Sequence, residues 1–231
     1  MGADLSVEKT DKENLYFDRL PPQTRKAFLY CAGKFNFLEK SKWYLAGGTA
    51  LALQVGHRQS IDLDFFLPEV KFEEVALERL LVATGNWTTS FRQAGTIYGV
   101  LSGAKMSFIS YPFFKPVLKK KRVGYVQMLL PRDIAAMKML AVSQRGRKRD
   151  FVDIYWYCKN KEPLSDILLR ATNQYPGQED NLNHILRSLV YFKDAEGDPM
   201  PKIFFKATWR EIKKYFQREV PEAAKRLLGF S

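Results

Sequence analysis

The chain has 231 residues, 46% of them hydrophobic and 27% charged, with 37 Lys and Arg against 25 Asp and Glu for a formal net charge of +12. That composition fits a soluble globular protein with one large or two small cores and excludes a disordered polyelectrolyte or a bilayer-spanning chain. With only two cysteines, Cys31 and Cys158, and two histidines, His57 and His184, a disulfide framework, a zinc site and histidine-based catalysis are poor readings, so chemistry should rest on carboxylates and cations.

The first residues, MGADLSVEKTDKENLYF, are charged and lack the apolar core of a signal peptide, which predicts a cytoplasmic protein with no membrane partner. Residues 1 to 19 read as a loose arm from which Leu15, Tyr16 and Phe17 can pack down. Pro21 and Pro22 restart the chain, and 23–37 reads as a helix with Phe28, Leu29, Cys31 and Ala32 offered to one face. Residues 43–45 form a short buried strand feeding Ala46-Gly47-Gly48-Thr49, where Thr49 caps a helix over 50–55. A strand over 60–67 and an amphipathic helix over 72–84 follow. Short strands then fill 87–111, broken at Gly95, Gly99 and Gly103.

After Pro116 the character changes. The run Lys119, Lys120, Lys121 and Arg122 precedes a strand at 126–130 and a helix over 133–142, and a second basic run, Arg145, Arg147, Lys148 and Arg149, follows it. Helices are expected at 150–158, 164–173, 181–192 and 205–218, with a loop at 194–201 before the last. The fold class is therefore α+β: a mixed sheet with flanking helices over 20–118, then a mainly helical domain over 119–231. Two basic runs flanking one helix form a candidate phosphate-lined groove for RNA, since lysine and arginine attract phosphates and release condensed counterions.

The segment 43–66, WYLAGGTALALQVGHRQSIDLDFF, carries the chemistry. Asp62 and Asp64 sit at i and i+2 of the expected strand, so both carboxylates share a face, roughly 6.5 Å apart along the chain. Apolar flanks make two lone carboxylates costly, which argues for a bound cation. A strand, a glycine turn and a helix N-terminus form a natural anion site, and that turn beside paired aspartates has the logic of nucleotidyl transfer, with triphosphate oxygens on the turn and Mg²⁺ on the aspartates.

These residues, with KMSFISYPF and DIAAMKMLAVSQRGRKRDFVDIYWY, resemble the DNA polymerase β-like nucleotidyltransferase superfamily and, more narrowly, the AbiEii/AbiGii toxin family of abortive-infection and toxin-antitoxin systems. The resemblance implies a nucleotidyltransferase fold and transfer of a nucleoside monophosphate from an NTP to a hydroxyl acceptor, RNA and in several members tRNA, by a toxin paired with an antitoxin protein. It carries Gly47, Gly48 and Thr49 onto the phosphate-binding turn, Asp62 and Asp64 onto the metal ligands, Lys138 onto the lysine of the third motif and Asp150 and Asp153 onto the acidic positions of the fourth. Arg58 becomes a phosphate contact and Lys138 a partner for the triphosphate tail. One departure stands out: where many members place a third carboxylate on a neighbouring strand, this chain has Ser107. That leaves a nucleotide- or RNA-binding module without turnover, and a small-molecule nucleotidyltransferase, as alternatives.

Overall fold

The computed structural model describes residues 15–177 and 181–229, and the expected arm at 1–14 lies outside them. The chain divides into two compact units: residues 1–113 with 118–131, and residues 114–117 with 132–231.

The first unit is built on a seven-stranded sheet: β1 (Tyr44–Ala46), β2 (Leu63–Leu67), β3 (Trp87–Gln93), β4 (Thr96–Leu101), β5 (Ala104–Ser110), β6 (Lys121–Val123) and β7 (Val126–Met128), in the order β3-β4-β5-β2-β1-β7-β6. β1 runs antiparallel to β2 and parallel to β7, and β2 runs parallel to β5, so the sheet is mixed. The helices are α1 (Pro22–Lys34), α2 (Gly47–Val55) and α3 (Glu74–Val82). One sheet face carries the core: Phe65 and Phe108 stack with centroids 5.1 Å apart, and Trp43 and Trp87 pack edge-on against Phe108. β2 alternates, with Leu63, Phe65 and Leu67 buried and Asp64 and Phe66 half-buried on the other face.

Several expected boundaries move. The strand at 60–67 begins only at Leu63, which leaves Asp62 on the lead-in. The helix after the glycine turn begins at Gly47, with Ala46 at the N-cap position and no side-chain cap, so Thr49 lies within the first turn and does not cap. Gly99 does not break a strand; it lies inside β4, at a position where any Cβ would overlap the Trp87 ring. The division expected at residue 118 falls after Pro131, since β6 and β7 extend the sheet beside β1. Of the arm, Tyr16 does pack down: its N–H donates to the Leu53 carbonyl at 2.7 Å.

The second unit is helical: α4 (Pro131–Arg145), α5 (Lys148–Asn160), α6 (Leu164–Gln174), α7 (Leu182–Leu189), the single turn α8 (Lys193–Glu196) inside the expected loop, and α9 (Trp209–Leu228). Phe151 anchors an aromatic core, with Phe192, Trp209 and Phe216 at 5.3, 5.7 and 5.4 Å. Residues 114–117 belong here: Phe114 packs on Tyr175, and the Lys115 N–H donates to the Gln174 carbonyl at 2.9 Å. α9 starts four residues later than expected, because Thr208 and Glu211 form a reciprocal capping box.

Candidate active site

In the first unit the glycine turn meets the carboxylate strand directly. Ala46 pairs with Asp64 across β1 and β2, and Gly47 follows with φ 71°, a conformation a side chain would strain. A Cβ at Gly47 would sit 3.2 Å from Asp64 Oδ2, so glycine lets the start of α2 close on that oxygen. On its other side, Asp64 pairs in register with Ser107 of β5, whose hydroxyl donates to Asp64 Oδ1 at 2.7 Å. Asp64 is thus held between a helix N-terminus and a hydroxyl.

Thr49 ties Asp62 to the same turn. Its hydroxyl bonds the Asp62 carbonyl and lies 2.9 Å from Ser60 Oγ. A side chain at Gly48 would overlap the Arg58 guanidinium, which is buried at 3% exposure and donates from Nη1 to the Gln59 carbonyl at 2.9 Å. Arg58 therefore braces the turn and lends it positive charge from a buried position.

The remaining candidates lie in the second unit and serve one another. Lys138 is 3% exposed, and its Nζ lies 2.7 Å from Asp150 Oδ1 and 2.7 Å from Asp153 Oδ2. Arg145 adds Nε and Nη2 bonds to Asp150 at 2.9 and 3.0 Å. Burial pushes the Asp150 carboxyl up, but the Lys138 ammonium and the Arg145 guanidinium outweigh it and hold the group below its usual range. The expected reach of Lys138 to a triphosphate tail meets a buried ammonium already shared by two carboxylates.

The basic runs divide in the same way. Lys119 and Arg122 are exposed, Lys121 opens β6, and Lys120 Nζ lies 5.4 Å over the Tyr44 ring. In the second run Arg147 pairs with Asp198 at 2.9 Å, and Lys148 is buried, bonds the Glu196 and Asp198 carbonyls and lies 5.2 Å over Trp209. Lys148 is therefore a structural cation, whereas Arg149 is exposed. The cysteines play no part: burial pushes the thiols of Cys31 and Cys158 up, the second to about 12.

Hard carboxylate oxygens at Asp62 and Asp64, with a glycine that leaves room beside Oδ2, suit a small divalent cation completed by substrate and water oxygens. Among the described residues no cluster of three or more His, Cys, Asp or Glu forms a metal cage. Sequence reasoning missed Ser60 as the partner of Thr49, and for Ser107, marked there only as standing where many family members place a third carboxylate, the sheet register adds a role as donor to Asp64.

A mixed sheet whose glycine turn abuts an aspartate strand defines a nucleotidyltransferase fold, and comparison with known proteins agrees. A structure of a candidate nucleotidyltransferase from H. pylori matches 91% of this chain and 99% of its own at a TM-score of 0.50 and 14% identity, a likeness of fold. An uncharacterised protein of Aquifex aeolicus is 34% identical over 185 residues, 78% of this chain and 87% of its own. The model of the nucleotidyl transferase AbiEii toxin family, a type IV toxin-antitoxin system, matches residues 32–228, and the chain belongs to that family of enzymes. No described helix is long and apolar enough to cross a membrane.

Proposed function

We propose that this cytoplasmic enzyme transfers a nucleoside monophosphate from an NTP to a hydroxyl of an RNA acceptor, with Mg²⁺ as cofactor, and that it acts as the toxin of a pair restrained by a cognate antitoxin protein. The observation that carries the reading is Asp64, flanked by the N-terminus of α2 on one side and Ser107 on the other. The first-turn N–H groups of α2 hold triphosphate oxygens, with the buried Arg58 charge behind them. Asp62 and Asp64 hold the cation, which when bound neutralises phosphate charge. As the acceptor oxygen bonds to the α-phosphorus, the bond to pyrophosphate breaks, pyrophosphate leaves and the hydroxyl proton passes to solvent. Ser107 fixes the carboxylate through its hydrogen bond to Oδ1. Exposed Lys119, Arg122 and Arg149 and the half-buried Lys121 serve RNA phosphates. Lys138, Asp150 and Asp153 organise the helical unit from within.

Purified protein incubated with each labelled NTP, Mg²⁺ and total RNA is expected to label RNA, and chelation is expected to stop it. Asp64→Ala should lower transfer by about a hundred- to a thousandfold, the range seen when a group stabilising transition-state charge is removed, and leave the melting temperature unchanged or raised. Full activity in that variant sinks the assignment. NTP binding without label transfer points instead to the non-catalytic module.

A further inference from the structure

One row of the sheet extends the site outward. Reading across the strands in register, Ala46 pairs with Asp64, Asp64 with Ser107, Ser107 with Tyr98 and Tyr98 with Phe91. Residues paired in this way share a face. Tyr98 and Phe91 are 41% and 45% exposed, with rings stacked at 5.7 Å and an interplanar angle of 23°. At the usual strand spacing they stand roughly 10 and 15 Å from Asp64.

A β-bulge puts them together. Thr89 pairs with Gly99 and Phe91 with Tyr98, so Ser90 is the extra residue of β3. Without it, Phe91 would oppose Ile97 and turn to the buried face. With it, Arg92 opposes Ile97 and reaches Glu78 of α3, while Phe91 joins Tyr98 on the carboxylate face. Bulges that re-aim a side chain recur beside functional sites. Lys105 of β5, exposed and two residues before Ser107, supplies positive charge on the same face.

We propose that Phe91 and Tyr98 form the stacking platform for an unpaired segment of the polyribonucleotide acceptor, with Lys105 on its phosphates. The inference rests on the nucleotidyltransferase reading above. Attacking and leaving oxygens lie roughly in line at the transferred phosphorus. The triphosphate, held by the start of α2, occupies the β1 side of Asp64, so pyrophosphate leaves toward β1 and the acceptor hydroxyl enters from β5. Beyond β5 lie β4 and β3, where the exposed ring pair offers flat apolar faces to bases. The net charge of +12 and Lys105 suit a polyanionic strand.

Binding of a short 5′-labelled single-stranded oligoribonucleotide, followed by fluorescence anisotropy without NTP, tests the platform. The double variant Phe91→Leu/Tyr98→Leu retains apolar area and strand preference and removes the aromatic faces. Affinity is expected to fall roughly 5- to 100-fold, as stacking on aromatic rings predicts, while a blunt duplex of the same sequence binds both proteins equally. In label transfer, KM for RNA rises and KM for NTP is unchanged. Tyr98→Phe restores affinity to Tyr98→Leu. Unchanged oligonucleotide binding, a rise confined to KM for NTP, or self-association of the wild type lost in the double variant each overturns the platform. Should the wild type transfer no label, the enzymatic reading fails, and the anisotropy comparison still decides whether the ring pair binds RNA.

Discussion

The chain carries two close-spaced aspartate pairs, and they have opposite fates. Asp62 and Asp64, just before and on β2, are half-buried, and a glycine keeps space beside one Asp64 oxygen while a neutral hydroxyl holds the other. Asp150 and Asp153, one turn apart on α5, are fully buried, with Lys138 between them and Arg145 on Asp150. A buried carboxylate needs a cation. The helical pair receives one from its own fold; for the strand pair we propose a divalent cation, beside the space that Gly47 keeps at Asp64 Oδ2. Similar spacing in sequence therefore marks a scaffold in one unit and a candidate metal site in the other.

Lys138→Met breaks the comparison most sharply. It removes the buried ammonium that Asp150 and Asp153 share, and the loss of one partner from such a network costs about 3–5 kcal/mol. Chemical denaturation should show that loss, with oligonucleotide affinity retained in the protein that remains folded. A stability change below about 1 kcal/mol, together with a rise in KM for NTP, returns Lys138 to the triphosphate.

Acidification sharpens the same contrast at smaller magnitude. The Asp150 carboxyl sits below its unfolded value, so its contribution to stability is present above that value, about 3.9 for an aspartate, and is lost as pH falls through the lower folded value. Wild-type thermal stability should fall on acidification below about pH 4. The gap between wild type and Lys138→Met should narrow over that range, because protonated carboxyls need no cation. A gap that widens as pH falls contradicts the assignment of Lys138 as their counter-charge.

What was legible in the sequence follows the range of the interactions involved. Gly47-Gly48 and Asp62-x-Asp64 stand within one short segment, so their proximity follows from a strand, a short helix and an antiparallel return strand. The helices after 130 were readable from apolar spacing, and Thr208-x-x-Glu211 carried the start of α9, a cap signal that the apolar pattern outweighed. The Ser107 bond to Asp64 was hidden, since it spans 43 residues and depends on β2 pairing in parallel with β5. The bulge at Ser90 was hidden too: alternation alone places Phe91 on the buried face, and only the register with β4 reverses it. For Lys138, family resemblance gave a role, and only three-dimensional burial shows that its charge is already shared.

Ser107 offers the finest test of the strand pair. Ser107→Ala removes a neutral donor to Asp64 Oδ1 and adds no charge, so Asp64 keeps its place on β2 and loses one oriented bond. A hydrogen bond to a charged group contributes about 1.5–3 kcal/mol, and partial exposure of Asp64 puts the expected effect at the low end, roughly tenfold in transfer rate. The loss should fall on kcat, with KM for RNA unchanged, because the ring pair on β3 and β4 is untouched. Stability should move by less than about 1 kcal/mol, since water can replace the donor at a half-buried oxygen. A loss of stability as large as that of Lys138→Met would mean that Asp64, like Asp150, is part of the scaffold, and the distinction between the two pairs would collapse.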